Sequence, residues 1–307
     1  NGLTYNENSA LQYSAPETAS VVQDAASSFV NTLAVSFSDA TLGNELLGAG
    51  ANLLMYAPRD FRADALAAEL PKLPDGAWLS LPPQLSSDAF GQAWPTVLAQ
   101  ADRLAGVVLG SIGQLGFPIA LPMALGDGVP IVNLEAAREV LSRAVRFYTL
   151  WPELKREELE ASLWKDTSRL LRVYGRERVM LLNHCPERVA RGLTQGRDRC
   201  ALCGPNDRAC ASPDAMLTDR RGYRFPLAKV RSPEGCIVEV YNALPTDLSK
   251  QDKARRALGA DMLLSFSVET PEQQLAITSR FAALLHGGAL VPPEGETTGG
   301  HFLRGIE

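Results

Sequence analysis

From Ala51 onward the sequence keeps a rhythm that few folds tolerate: short apolar runs alternate with longer segments whose apolar residues recur at helical spacing. The runs are LLMYA (53–57), AWLSL (77–81), GVVLG (106–110), PIVN (130–133), RFYTL (146–150), VMLLN (179–183), CIVEVYN (236–242) and DMLLSFS (261–267). Between them lie FRADALAAEL, FGQAWPTVLAQADRLA, LEAAREVLSRA, ELKREELEASLWKDTSRLL, DLSKQDKARRALG and PEQQLAITSRFAALL. A strand covered on both faces reads as a near-continuous apolar run, so the alternation predicts β/α units on a parallel sheet. Eight runs suit a TIM-like (β/α) barrel, an α/β fold, over residues 51–307. Residues 1–50, rich in Ser, Ala, Asn and Thr with a weak helical pattern in VVQDAASSFVNTLAV, read as a peripheral extension or the end of a preceding domain.

The rhythm breaks at 184–236. A Gly-, Arg-, Asp- and Cys-rich insertion replaces a helix there, and DRRGYRFPL followed by CIVEVYN reads as a β-hairpin. A structureless loop of that length is unusual inside a compact domain, so something beyond apolar packing is expected to organise it. All five cysteines fall in or beside this stretch: Cys185, Cys200, Cys203, Cys210 and Cys236. Their clustering and odd number favour a metal site or reactive thiols over a disulfide framework. A zinc ribbon has two C-x-x-C knuckles, whereas only Cys200 and Cys203 form one here. A four-iron cluster reached from separate loops accepts irregular spacing, so both 4Fe-4S and zinc stand as readings, the cluster modestly ahead. Cys210, in a Pro-, Asn- and Asp-rich stretch, is the natural spare.

Composition limits the rest. With 46% hydrophobic and 21% charged residues the chain is globular, and a net charge of -5 gives no overall attraction to nucleic acid. The cysteine region is nonetheless a basic island, from Arg188 to Arg231, that reads as a solvated loop or an RNA-contacting surface. No run of about 18 apolar residues is present, so no membrane partner is expected and the location expected is cytoplasmic.

The succession VYGRERVMLLNHCP, C-A-L-C, LTDRRGYRFPL, CIVEVYN, VETPEQQ and GHFLRGIE resembles the collagenase-like peptidase family U-32, over about residues 51–307. The resemblance implies a barrel domain carrying a 4Fe-4S cluster on Cys185, Cys200, Cys203 and Cys236. It also implies oxygen-independent hydroxylation of an RNA base, in tRNA or rRNA, with prephenate as co-substrate, since several family members hydroxylate RNA bases or the ubiquinone ring. A collagenase-like peptidase is the alternative. Longer members carry an N-terminal barrel, so a further expectation is a noncatalytic domain whose partner barrel, in the same full-length protein, does the chemistry.

Hydrolysis has no motif here, because neither H-E-x-x-H nor G-x-S-x-G occurs. His184 and Cys185 are sequence neighbours, which point to opposite faces of an extended strand and so do not form a nucleophile–base pair. Candidate substrate-binding residues are polar groups at expected strand ends: Arg59, Asn133, Glu153, Asn242 and Glu269. Each also has the more ordinary reading of a helix cap or surface charge. Arg220 and Arg221 could hold a phosphate or a carboxylate such as that of prephenate, while Asp219 and Gly222 around them read as a plain turn.

Overall fold

The computed structural model describes residues 31–162, 167–190 and 215–304. Eight parallel strands close into a barrel: β1 (Leu33–Phe37), β2 (Leu53–Tyr56), β3 (Ala77–Ser80), β4 (Leu104–Leu109), β5 (Met123–Leu125), β6 (Val145–Thr149), β7 (Ser168–Gly175) and β13 (Asp261–Ser265). The pairing of β6 with β7 completes the ring. Helices α1 (Gly43–Gly48), α2 (Ala63–Glu69), α3 (Ser87–Leu98), α4 (Leu134–Leu141), α5 (Arg156–Ser162), α7 (Asp252–Ala257) and α8 (Pro271–Leu285) follow individual strands, and a 3-10 turn at Ile112–Gly116 stands in after β4. The expected TIM-like barrel is the fold. Among the described residues no helix is long and apolar enough to cross a membrane.

Alternation along each strand divides the core in two. Leu33, Val35 and Phe37 of β1 join the larger cluster between sheet and helices. Ala34 faces inward with Met55, Trp78, Val108, Phe147, Leu170 and Leu263, which fill the barrel. Trp78 and Phe147 meet edge to face inside it, with ring centroids 4.8 Å apart and planes at 71°. Gly106 makes room for that indole: a Cβ there would lie 2.5 Å from a Trp78 ring carbon and 2.3 Å from the Pro122 carbonyl oxygen.

Several strand assignments change. The barrel begins at Leu33, ahead of the expected boundary at residue 51, because β1 pairs with β13 and β2 and is needed to close the ring. PIVN is not a strand; Met123–Leu125 fills that place, while Val129 and Ile131 are buried as loop residues against the outer core. The segment ELKREELEASLWKDTSRLL, expected as one helix, divides into α5 and the first residues of β7. VMLLN and CIVEVYN are strands, but not of the barrel.

Those two belong to the insertion, which leaves the carboxyl end of β7. Strands β8 (Arg178–Leu182), β9 (Met216–Thr218), β10 (Arg224–Ser232) and β11 (Gly235–Tyr241) form an antiparallel sheet in the order β8-β11-β10-β9, with the short helix α6 (Pro186–Ala190) after β8. The expected hairpin is thus part of a larger sheet. Strand β12 (Thr246–Asp247) then returns along β7 before α7.

Candidate functional site

Inward-facing positions turn polar at the carboxyl ends of the barrel strands, where barrel enzymes place their sites. One step above the apolar filling stand Ser36, Ser80, Thr149, Arg172 and Ser265, each two residues beyond an inward-facing Ala34, Trp78, Phe147, Leu170 or Leu263. They line a cavity of about 530 Å³. The inserted sheet supplies its far wall through Arg178, Leu181, Val230, Glu239 and Tyr241. The register confirms a shared face, since Leu181 pairs opposite Glu239, and Val230 opposite Ile237 beside it.

Glu239 joins sheet to barrel. Its carboxylate takes Arg59 on one oxygen at 3.0 Å, Arg178 on the other at 3.0 Å, and the Tyr241 hydroxyl at 2.6 Å. Arg59, in the loop after β2, also donates to the Ser267 carbonyl at 2.7 Å. Burial, then the negative charge of Glu239, push the Tyr241 phenol above its ordinary range, so it stays protonated and donates. Backbone bonds strengthen the join: Phe61 N–H donates to the Arg231 carbonyl and Arg231 N–H to the Arg59 carbonyl, both at 2.8 Å.

Deeper in the mouth, Arg172 pairs with Asp127 at 2.6 Å and with Glu177. Burial works against its charge, but the two carboxylates more than offset this and hold its pKa above the ordinary value. Arg176 donates to the Asn242 carbonyl at 2.9 Å and lies 3.9 Å from Glu269. Some polar atoms at the mouth have no hydrogen-bond partner among the described residues. They include Ser80 Oγ, Gln84 Nε2, Thr149 Oγ1 and Arg176 Nε, and Thr149 is only 1% exposed.

The candidate residues separate accordingly. Arg59 and Glu153 line the cavity, Glu153 at an exposed lip where it accepts from Trp151 Nε1 at 3.2 Å. Asn133 caps α4 by accepting from Ala136 N–H at 2.8 Å. Asn242 turns its side chain to the Ala243 N–H. Glu269 accepts from the Ser267 and Val268 N–H groups and anchors Arg176 from outside the cavity wall. Arg220 and Arg221 are exposed in the β9–β10 turn, which Asp219 closes by accepting from the Arg221 and Tyr223 N–H groups. They do not line the cavity, and the plain-turn reading describes them. Missed altogether were Thr149, Arg172 and Glu239: Arg172 fell directly after the segment read as helix and before the next apolar run, and Glu239 in a run counted among the eight strands and read as half of a hairpin.

Of the expected metal ligands, Cys200 and Cys203, with the spare Cys210, lie outside the described residues. Cys185 and Cys236 lie inside, both partly exposed. Leu182 pairs with Val238, so the end of β8 and the start of β11 sit side by side, bringing Cys185 and Cys236 to one end of the sheet. Cys185 packs on the cluster of Leu227, Val238 and Val240, which occupies the sheet face opposite Glu239. Cys236, two residues before Val238, shares that face. The cavity and the two thiols therefore lie on opposite faces of one sheet. Among the described residues no three His, Cys, Asp or Glu side chains form a metal-sized group.

Fold and site together define a (β/α)8 barrel whose mouth is walled by an inserted antiparallel sheet bearing cysteines on its outer face. Among solved structures the chain is similar to the U32 peptidase Mk0906, at 12% identity over 78% of this chain and 94% of that one, with a TM-score of 0.39. It is also similar to a chitinase from Chromobacterium violaceum ATCC 12472, at 11% identity over 82% and 98% of the two chains, TM-score 0.35. The spore cortex-lytic enzyme SleL of Bacillus megaterium QM B1551 matches at 13% identity over 81% and 73%, TM-score 0.35. No family model and no curated protein matches the sequence.

Proposed function

We propose that this chain is an iron-sulfur-binding barrel protein acting in oxygen-independent, prephenate-linked hydroxylation of an RNA base. The observation that carries the reading is the meeting of Cys185 and Cys236 at one end and on one face of the inserted sheet. Two thiols so placed can supply half of a four-thiolate set, and Cys200 and Cys203, within the same insertion, would supply the rest. When bound, such a cluster supplies one-electron transfer. The chain's own residues bind and orient: Arg59, Glu239 and Arg178 hold the sheet against the barrel, and the strand-end hydroxyls and Arg172 face the ligand space. Because the thiols lie behind the sheet, their part is electron supply or a clasp on the insertion rather than contact with a molecule in the mouth.

The peptidase reading draws less support. The described residues lining the cavity include neither histidine nor cysteine, so a thiol or hydroxyl nucleophile has no imidazole beside it there.

Anaerobic purification tests the proposal. The protein should be brown, absorb near ~400 nm and hold about four irons per chain. Cys185→Ser and Cys236→Ser should each remove most of the iron while the far-UV spectrum of the barrel persists. One tightly bound zinc in a colourless protein would sink the cluster. RNA from cells lacking the gene should lose a hydroxylated nucleoside; unchanged RNA with lost gelatin cleavage would favour the peptidase.

A further inference from the structure

Behind the mouth lies a second, much smaller space, and four residues belong to both: Trp151, Pro152, Arg172 and Glu177. Strand β12 and residues 299–302 close its far side. Backbone pairing holds them there. Thr246 and Asp247 of β12 lie against Gly175 and Tyr174 of β7, while Thr298 donates to the Pro245 carbonyl and accepts from the Asp247 N–H, both at 2.9 Å. Phe302 is 4% exposed, and its carbonyl accepts from the Arg156 N–H at 2.9 Å.

The space measures about 20 Å³, room for one water and for nothing larger. Leucine side chains line part of it, and a wholly apolar space of this size would stay dry. Two polar atoms break that lining. Thr246 is 4% exposed, and its Oγ1 has no hydrogen-bond partner among the described residues. Arg172 is 7% exposed; its Nη2 lies against Glu177 as an ion pair, yet is without a well-directed hydrogen bond among the described residues. A buried polar group left unmet costs stability, whereas one water, which both donates and accepts, can serve the two together. Gly300 keeps the approach to the hydroxyl clear: its φ of +56° suits glycine, and a Cβ there would sit 3.1 Å from Thr246 Oγ1.

We infer that this space is a hydration site, in which a single ordered water accepts from Arg172 Nη2, donates to Glu177 and bonds to the Thr246 hydroxyl. Three partners are the usual complement of a buried water. Thr246 is then a positioning residue, acting through the water on a guanidinium that faces the mouth. Residues 299–302 cover the water from the far side. None of this depends on which ligand the mouth takes or on what the thiols hold.

Magnetic relaxation dispersion of the water oxygen signal, which counts waters held for longer than the protein tumbles, tests the site on the whole protein. Thr246→Val replaces the hydroxyl with a methyl of similar size and should lose one such water. Its melting temperature should fall by about 2–3 °C, the scale of one buried hydrogen bond. The side-chain Nε–H signal of Arg172, assigned by its absence in Arg172→Lys, should shift, while that of Arg255, also buried but ahead of β13, stays in place. Thr246→Ser keeps the hydroxyl and should keep both the water and the Arg172 signal. In a dry space Thr246→Val would instead raise the melting temperature, because an unmet hydroxyl is removed. That rise, an unchanged water count or an unmoved Arg172 signal would each overturn the inference.

Discussion

Glu239→Ala is expected to destabilise the protein by about 3–5 kcal/mol, the scale on which a buried ion pair is broken from one side. The carboxylate is 6% exposed and holds three donors from two parts of the chain: Arg59 from the barrel, Arg178 and Tyr241 from the insertion. Removing it leaves two guanidiniums side by side with no anion between them, so repulsion replaces attraction at the seam. The loss should concentrate in the insertion. Amide exchange in β8 and β11 should accelerate more than in β1 or β13, because the barrel strands keep their own pairings. Glu239→Gln keeps the volume and removes the charge, and should show the same pattern at smaller amplitude. A denaturation midpoint within error of the parent would refute the join, as would uniform acceleration of exchange across barrel and insertion.

Phe147→Ala should cost a similar amount, about 3–5 kcal/mol, by another mechanism. Phe147 is fully buried among the inward-facing residues and packs edge to face against Trp78. Its removal opens a cavity in the barrel interior, where opposing strands are held by a closed ring of hydrogen bonds and cannot collapse inward to refill it. Urea denaturation reads the loss. Thr149→Val, two residues further along the same strand, should cost nothing or stabilise. The contrast between these neighbours separates the layer that holds the barrel together from the layer facing the ligand. A small loss for Phe147→Ala would mean that the interior repacks freely, contrary to the close fit of Gly106 beneath the indole.

The barrel was legible because five of its strands are nearly continuous apolar runs. β2, β3, β4, β6 and β13 are covered on both faces, and that burial is written residue by residue. The other three strands were obscured for particular reasons. β1 carries the small or polar Ala34 and Ser36 on its inward face, so only alternate positions look apolar. β5 is three residues long and too short for any pattern. β7 begins SRLLR, which continues the helical spacing of the segment before it until the ladder to β6 and β13 decides otherwise.

At the site, the sequence identified Arg59 and Glu153 at the cavity, and grouped Cys185 with Cys236 by their place around one insertion. It could not assign Arg220, Arg221, Asn133 or Glu269, because a polar residue at the end of an element looks the same whether it caps, pairs or binds. Local chemistry written along the chain determined the closed α/β architecture, the break that becomes the inserted sheet and the clustering of the thiols. Which face each residue takes is a matter of register, and register depends on partners far away in the chain. The pairings of β8 with β11 and of β11 with β10 turn Glu239 toward the barrel and Cys236 away from it. A one-residue slip would exchange them, so only the tertiary structure could set the ligand space and the thiols on opposite sides of one sheet.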